Sequence, residues 1–346
     1  MEKKDYGKLN GYLNDIFLAL SKNDQFLINN LAPIAYLNDD YLEFMRQYKL
    51  SSKTKENKLT YMDVYLLARE IIASIDKSYL PEYDDLIKSG KLDFGYEGEY
   101  EDSRCTYDVN LIDIDRRFYY HDVWVLVHEF MHYTNGKHKK SQNQYLLTEF
   151  FSIYFEIYAI DYLISRGVPR DEIGIFDRLN WTTRTSRIFE SYETIFLAYE
   201  KFGDINEETV DYLKKHYFPN ISKESFDKQC ESLLSYIMKK EEEYRMGIMY
   251  EKEFKTEEFI RKFGTPAFSN YRYVLGTLMA FYARSYCKME DIVFLNNHID
   301  DDDIGSLDLL EVLKRIGIDI TNPEFLKKAF ESIGSYIEQY SNEKNR

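Results

Sequence analysis

The sequence predicts a mainly α fold with a small amount of β-structure next to one of its helices. Pro and Gly are scarce, six and fifteen among 346 residues, so few positions interrupt a helix. Over most of the chain, apolar residues recur at the spacing of one helical face. The pattern changes between residues 94 and 118, where residues 105–111 alternate between apolar and polar as in a half-buried strand.

The first well-defined helix is predicted to begin after Thr60, an N-cap residue that is followed by apolar positions at helical spacing. It is expected to end before the Leu80-Pro81 step, and a shorter helix then runs up to Gly90. The strand at residues 105–111 leads into the next helix. Such a strand can be an ordinary structural element, or it can pair with the backbone of an extended peptide.

Two helices are predicted directly after this strand. For the first, Asp122 is a good N-cap, residues 123–127 are apolar, and Asn135-Gly136 supplies a stop. For the second, residues 141–144 form a capping-box pattern, and the apolar run behind them continues to Gly167.

The chain after Pro169 is predicted to be almost wholly helical. Pro323, with Asn322 as its cap, is expected to start the last helix. The other helices are expected over residues 180–202, 206–217, 222–263 with breaks, and 271–287.

The first of the two central helices carries two histidines one turn apart, in a segment that reads His-Glu-Phe-Met-His. Positions four apart on a helix differ by about 40° in direction, so His128 and His132 can aim their rings at one point. Glu129 falls beside that point, where a general base for water on a metal should stand. The pattern predicts a catalytic zinc site, although two histidines bonded to backbone carbonyls in a buried helix would give the same sequence.

The second central helix offers two carboxylates, one of which is expected to be the third zinc ligand. Glu149 and Glu156 are seven residues, about two turns, apart, so they share one face among apolar neighbours. A charge on such a helix needs a partner. We expect Glu149 to bind the metal and Glu156 to hold a ligand histidine by its other ring nitrogen. The alternative for either residue is an ion pair with Lys or Arg across a helix interface.

These residues resemble the thimet oligopeptidase and oligoendopeptidase F family of zinc peptidases, which combine His-Glu-x-x-His with a downstream Glu ligand. Residues 148–152 followed by Glu156 are similar to the ligand helix of that family. Residues 271–276 are similar to its tyrosine-rich segment, and residues 313–323 resemble an element near the C-terminus of the oligoendopeptidase F branch. The resemblance covers roughly residues 65–346.

The resemblance implies a gluzincin, a zincin-like metallopeptidase fold, with one zinc ion (Zn2+) per chain. The implied ligands are His128, His132 and Glu149. Glu129 would be the catalytic base. Tyr273, or Tyr271 in its place, would donate a hydrogen bond to the oxyanion of the reaction, although tyrosines at the start of a helix also commonly pack into a core.

The resemblance further implies that residues 99–346 form a mostly helical catalytic domain. Residues 1–98 would then be a helical region that corresponds to a reduced form of the N-terminal lobe of the family. The sequence departs from the family pattern at Met131, where Gly is usual, and in residues 266–270, where a His is missing.

Composition excludes several classes of partner. A net charge of −15, from 45 basic and 60 acidic residues, opposes binding to nucleic acids and to anionic membranes. Three widely spaced cysteines form neither a disulfide framework nor a metal knuckle, which favours a reducing compartment. No apolar stretch reaches the ~18 residues of a membrane span. We therefore expect a cytoplasmic protein whose partner is a peptide or protein substrate, and the sequence does not indicate an oligomeric state.

The function predicted from these observations is that of a zinc metalloendopeptidase that hydrolyses peptide bonds in oligopeptides. Two alternatives are a zinc-binding interaction protein without catalytic activity and a zinc hydrolase for a non-peptide substrate or one dedicated protein. The presence of Glu129 favours catalysis, because a purely structural zinc site has no need of a base.

Overall fold

The structure, a computed structural model, describes residues 6–23, 29–50, 55, 58–95, 103–106, 110–117, 119–136, 144–206, 208–248, 255–260, 270–299 and 307–341. Within them the protein is mainly helical and contains one small three-stranded sheet, as the sequence predicts. None of the helices in this part of the chain combines the length and the apolar character that a membrane span requires.

The elements are numbered in chain order. The helices are α1 Gly7–Asn23, α2 Leu31–Met45, α3 Tyr61–Ile75, α4 Leu80–Lys88, α5 His121–Gly136, α6 Gln144–Ser165, α7 Asp177–Glu190, α8 Glu193–Phe202, α9 Thr209–His216, α10 Lys223–Ile248, α11 Thr256–Phe259, α12 Tyr271–Tyr286, α13 Met289–His298, α14 Leu309–Arg315 and α15 Pro323–Ser341. The strands are β1 Leu92–Phe94, β2 Arg104–Thr106 and β3 Leu111–Ile114.

The chain divides into two compact units, each made of two separate stretches. The first unit contains Met1–Gln47 and Thr183–Val274, and the second contains Tyr48–Thr182 and Leu275–Arg346. Local periodicity cannot reveal such a division, because it depends on contacts between distant stretches of chain. The predicted separation of residues 1–98 from a catalytic domain at 99–346 is a functional one and stays a prediction.

The first unit is helical, and α8 packs against α1 and α2. A pair of buried side chains joins α2 to the second half of α7. The amide of Asn38 donates to the backbone oxygen of Ser186 at 3.3 Å, and the hydroxyl of Ser186 donates back to Oδ1 of Asn38 at 2.5 Å. These reciprocal bonds satisfy polar groups that burial would otherwise make costly.

The second unit is built around α5 and α6, which pack against each other, while α3 and β3 also contact α5. Most residues of α6 from Leu146 to Leu163 are buried. A helix with so little exposed surface belongs to a core, and any polar side chain on it must find a partner inside the protein.

Two of the predicted helix starts in the second unit are those of α3 and α5. Thr60 caps α3 as predicted: its hydroxyl accepts from the backbone N–H of Asp63 at 3.1 Å, and the carboxylate of Asp63 accepts from the N–H of Thr60 at 2.8 Å. The prediction of Asp122 as an N-cap is wrong, because α5 begins at His121 and the Asp122 carboxylate accepts instead from the backbone N–H of Arg117. It therefore fastens the preceding loop to the helix.

Of the other predicted helix boundaries, some are confirmed by the structure and some are corrected by it. Asn322 does cap the last helix, accepting from the N–H of Glu324 at 2.9 Å. The helix predicted over residues 180–202 is two helices, α7 and α8, separated by a turn at residues 191–192. The capping-box residues 141–143 lie outside the described residues.

The single strand predicted at residues 105–111 is wrong in one respect, because the segment contains two strands. β2 and β3 are antiparallel with Thr106 opposite Leu111, so the chain reverses direction between them, and β3 also pairs in parallel with β1. Asn110 has a φ of 49°, a left-handed conformation that Asn tolerates in turns. The apolar–polar alternation of the sequence runs without a break from Cys105 to Leu111, and it therefore conceals the change of direction. Residues 107–109 lie outside the described part of the chain.

Gly276 allows α12 to approach α6 closely. A Cβ atom at this position would stand 3.2 Å from Cδ1 of Ile153 and 3.4 Å from the backbone nitrogen of Phe150. A methyl group here would therefore crowd the side chain of Ile153 and lie in contact with the backbone of the helix that carries Glu149.

We expect Gly11→Ala to stabilise the protein and Gly276→Ala not to do so. Gly11 is a helical residue with open space around its Cα, so alanine there should stabilise the protein by about 0.5–1 kcal/mol through helix propensity. At Gly276 the steric contact should cancel that gain or reverse it by about 1 kcal/mol. Urea unfolding measures both, and equal stabilisation by the two substitutions would contradict the close approach of α12 to α6.

Candidate metal centre

Three side chains from α5 and α6 bring metal-binding atoms together inside the second unit. Nε2 of His128 lies 3.1 Å from Nε2 of His132. Oε2 of Glu149 lies 4.0 Å from the first nitrogen and 3.7 Å from the second. All three side chains are buried. In the part of the chain that the structure describes, no other group of three or more His, Cys, Asp or Glu residues is arranged to hold a metal ion.

The spacing of these atoms fits a tetrahedral zinc ion. Zinc binds imidazole nitrogen at about 2.0–2.1 Å and carboxylate oxygen at about 2.0–2.2 Å, so two of its ligand atoms stand roughly 3.3–3.5 Å apart. The observed distances of 3.1, 3.7 and 4.0 Å bracket this value. Three such ligands leave a fourth position for water or substrate, which is the arrangement of catalytic rather than structural zinc sites.

Glu156 holds the ring of His128 from the side opposite the metal-binding nitrogen. Nδ1 of His128 lies 2.9 Å from Oε2 of Glu156, which is fully buried. The guanidinium of Arg178, on α7, donates through Nε to both oxygens of Glu156 at 2.8 and 2.9 Å and through Nη2 to Oε2. The sequence left two contacts open for Glu156, one with a ligand histidine and one with a basic residue. The structure contains both contacts.

Ser152 contacts the second histidine in the corresponding way. Its hydroxyl lies 3.2 Å from Nδ1 of His132 and is buried. A hydroxyl can both donate and accept, so it can hold His132 in the tautomer whose Nε2 lone pair faces the other ligands. The face of α6 that meets the histidines therefore carries Glu149, Ser152 and Glu156, at spacings of three and seven residues.

The contacts of Glu156 set its charge and shift the pKa of His128. Burial opposes ionisation of Glu156, but the positive charge of Arg178 and the hydrogen bonds from His128 and Arg178 outweigh it and lower the Glu156 pKa to about 2. Burial also opposes the charged form of His128 and so would lower its pKa. The hydrogen bond to Glu156 outweighs this effect, and the pKa of His128 is raised. Glu156 is therefore a carboxylate near neutral pH and a constant acceptor for the Nδ1 proton of His128.

Glu129 follows His128 directly on α5 and is also buried, and its negative charge contributes to the raised pKa of His128. The formal charges of the group are uneven. The side chains of Glu129, Glu149 and Glu156 contribute three formal negative charges, and the guanidinium of Arg178 contributes one positive charge. A divalent cation would match the two negative charges in excess.

A chain of hydrogen bonds, which begins at the buried Asn135, holds the C-terminal half of α5 three residues after His132. The amide of Asn135 donates to Oδ1 of Asn296 at 3.1 Å, and the amide of Asn296 donates to the hydroxyl of Tyr79 at 2.8 Å. Tyr79 in turn donates to Oδ1 of Asn297 at 2.6 Å. These bonds join α5 to α13 and help to fix the position of His132.

The two tyrosines singled out by the sequence lie in the first turn of α12, in the stretch that belongs to the first unit. Tyr271 is buried. The hydroxyl of Tyr273 accepts from Nη2 of Arg272 at 3.0 Å, and a phenol that accepts in this way can still donate its own proton. Their role at the metal centre, whose residues lie in the second unit, stays a prediction. Residues 266–269, in the segment without the family histidine, lie outside the described residues.

Sequence reasoning did not assign roles to Arg178 and Ser152. Ser152 lies three positions after Glu149, and that spacing places it on the ligand face of α6. Arg178 is twenty-two residues from Glu156 on another helix. No local pattern links the two, because their contact depends on how α7 packs.

Comparison of the whole chain with solved structures finds a similar fold. The match is the crystal structure of a protein from Bacillus anthracis str. Ames that is assigned as an oligoendopeptidase F, with a TM-score of 0.51 and 14% sequence identity. It covers 94% of this chain and 57% of that chain, so the present chain spans little more than half the length of the other protein. At this identity the likeness concerns the fold alone. No protein-family model and no curated protein matches the sequence.

We expect the purified protein to bind one zinc ion per chain. Alanine in place of His128, His132 or Glu149 should remove most of the bound metal, because each supplies one of only three ligand atoms. Elemental analysis after dialysis measures the stoichiometry, and at a zinc concentration 100 times the Kd the wild-type protein should gain about 2.7 kcal/mol of stability. His216→Ala, at an exposed histidine on α9, is the matched control. Equal zinc content in all the variants would show that the metal binds elsewhere.

Proposed function

We propose that this chain is a zinc-dependent metallopeptidase that hydrolyses peptide bonds, with Glu129 as the general base. The observation that carries the proposal is the convergence of His128, His132 and Glu149 next to Glu129 on buried helix faces. The fold shared with a protein assigned as an oligoendopeptidase F supports the same reaction class.

The donor set suits zinc, because two imidazoles and one carboxylate are the ligands of many catalytic zinc sites. Zinc held there would act as a Lewis acid that polarises a peptide carbonyl and makes water a stronger acid. His128 and His132 each present Nε2, while Glu156 and Ser152 engage their Nδ1 atoms. This arrangement fixes the direction of both rings before a metal arrives.

Glu129 supplies the proton transfers of the proposed reaction. Its carboxylate accepts a proton from the attacking water and then passes it to the amine that leaves. We propose that Tyr273, with Tyr271 as the alternative, donates its phenol proton as a hydrogen bond to the developing oxyanion. The hydrogen bond that Tyr273 accepts from Arg272 supports this role, because it strengthens the phenol as a donor.

We further propose that the fold is a gluzincin of the oligoendopeptidase F group, that residues 99–346 form its catalytic domain and that the enzyme acts in the cytoplasm. Oligopeptides are the proposed substrates. The sequence resemblance supports this choice more than the fold does, because the chain covers only 57% of the similar structure.

Glu129→Gln tests the mechanism. The amide keeps the size of the side chain but cannot take a proton, so peptide cleavage should fall by about 10²–10⁴-fold. Zinc content should stay unchanged, because Glu129 is not a ligand. Cleavage is followed by mass spectrometry of a diverse peptide mixture, and Glu338→Gln, at an exposed position on α15, is the matched control.

The same assay separates the alternatives. Undiminished cleavage by Glu129→Gln would reject the proposed base. A wild-type protein that binds zinc but cuts no peptide would favour a zinc-binding interaction protein, or a hydrolase of a non-peptide or single dedicated protein substrate.

Tyr273→Phe removes one hydroxyl and should lower kcat by about 10²–10³-fold, since that is the usual effect of losing one oxyanion donor. The KM should change little, because the bond forms mainly in the transition state. Tyr271→Phe is the comparison, and the variant with the larger kcat loss identifies the donor. Full activity in both variants would remove the tyrosines from the mechanism.

A further inference from the structure

Arg178 lies behind the metal centre, where its guanidinium binds the carboxylate that holds His128 and its Nη2 atom lies 3.4 Å from Nδ1 of His128. We infer that Arg178 is a positioning residue of the metal site, which acts on His128 through Glu156. This inference rests on the proposed zinc site.

Glu156 needs a counter-charge to remain where it is. Its side chain is fully buried, and a buried carboxylate is stable only with compensating charge and hydrogen bonds. The imidazole of His128 supplies one hydrogen bond and, when it binds a metal, no positive charge. Arg178 supplies both a positive charge and donors to both carboxylate oxygens, at 2.8 and 2.9 Å.

The geometry of the guanidinium also fixes the orientation of the carboxylate. Nε and Nη2 of Arg178 both reach Oε2 of Glu156, which is the oxygen that accepts from Nδ1 of His128. Because the guanidinium is a planar fork, it holds the plane of the carboxylate as well as its position. Oε2 therefore remains directed at Nδ1, and Nε2 of His128 remains directed at the metal position.

Arg178 is itself held in place within the second unit. Trp181 lies three residues further along α7, and the guanidinium stands 5.0 Å from the centre of its indole ring. Only 12% of the Arg178 side chain is exposed, so solvent screens it little. A third helix, which carries no metal ligand, thus determines how well α5 presents His128.

A double-mutant cycle between Arg178 and Glu156 tests this role on the full-length chain. The variants are R178M, R178K, E156Q and R178M/E156Q, and R187M, at an exposed arginine on the same helix, is the matched control. Competition with a chromogenic chelator measures the Kd for zinc alone, without any peptide substrate. Circular dichroism of the metal-free proteins establishes that each variant is folded.

R178M should weaken zinc binding by about 10–100-fold, the usual effect of losing a partner behind a metal ligand. R178K should lie between R178M and wild type, because it keeps the charge but not the fork, and R187M should match wild type. In the E156Q background, R178M should change the Kd by less than about 3-fold, because a neutral amide needs no counter-charge. A side chain that merely supported the fold would cause the same loss in both backgrounds.

Wild-type affinity in R178M, or equal losses with Glu156 and with Gln at position 156, would overturn the inference. If R178M does not fold, R178K takes its place in the cycle with the same two criteria. A wild-type chain that binds no zinc would instead reject the proposed metal site itself, so the two failures are distinguishable.

Discussion

The metal centre depends on one constraint, which is that α6 is mostly buried between Leu146 and Leu163 yet carries polar side chains on one face. Glu149, Ser152 and Glu156 are all buried, so each needs a polar partner inside the protein or at the metal site. His132 meets Ser152 and His128 meets Glu156 through their Nδ1 atoms. Once those nitrogens are engaged, both Nε2 atoms turn toward Glu149, and the metal-binding atoms converge as a result.

This arrangement is expensive for the fold, which makes a structural purpose a poor explanation for it. Removing one partner from a buried ion pair such as Glu156 and Arg178 typically costs about 3–5 kcal/mol, a large share of the roughly 5–15 kcal/mol by which domains are stable. Apolar side chains at the same positions would often fold as well or better. Proteins keep such costly groups where a site needs them, and a divalent cation would balance the excess negative charge around His128 and His132.

Much of the site could be read from the sequence because its main components are local. A helical spacing of four places His128 and His132 on one face, and a spacing of seven does the same for Glu149 and Glu156. The contact of Arg178 with Glu156 could not be read, since it joins two helices whose packing is decided by the whole core. The change of direction between β2 and β3 was hidden for a different reason: the apolar–polar alternation of residues 105–111 continues through it without a break. The two compact units likewise arise from contacts between distant stretches of chain.

The central claim is that two imidazole nitrogens and one carboxylate oxygen bind the same zinc ion. X-ray absorption spectroscopy at the zinc edge tests it most directly, because it reports the type, number and distance of the atoms bound to the metal. The account predicts two histidine nitrogens at about 2.0–2.1 Å, carboxylate oxygen at about 2.0–2.2 Å and a further light atom from solvent. Sulfur at about 2.3 Å, or a shell of water oxygens without histidine, would contradict it.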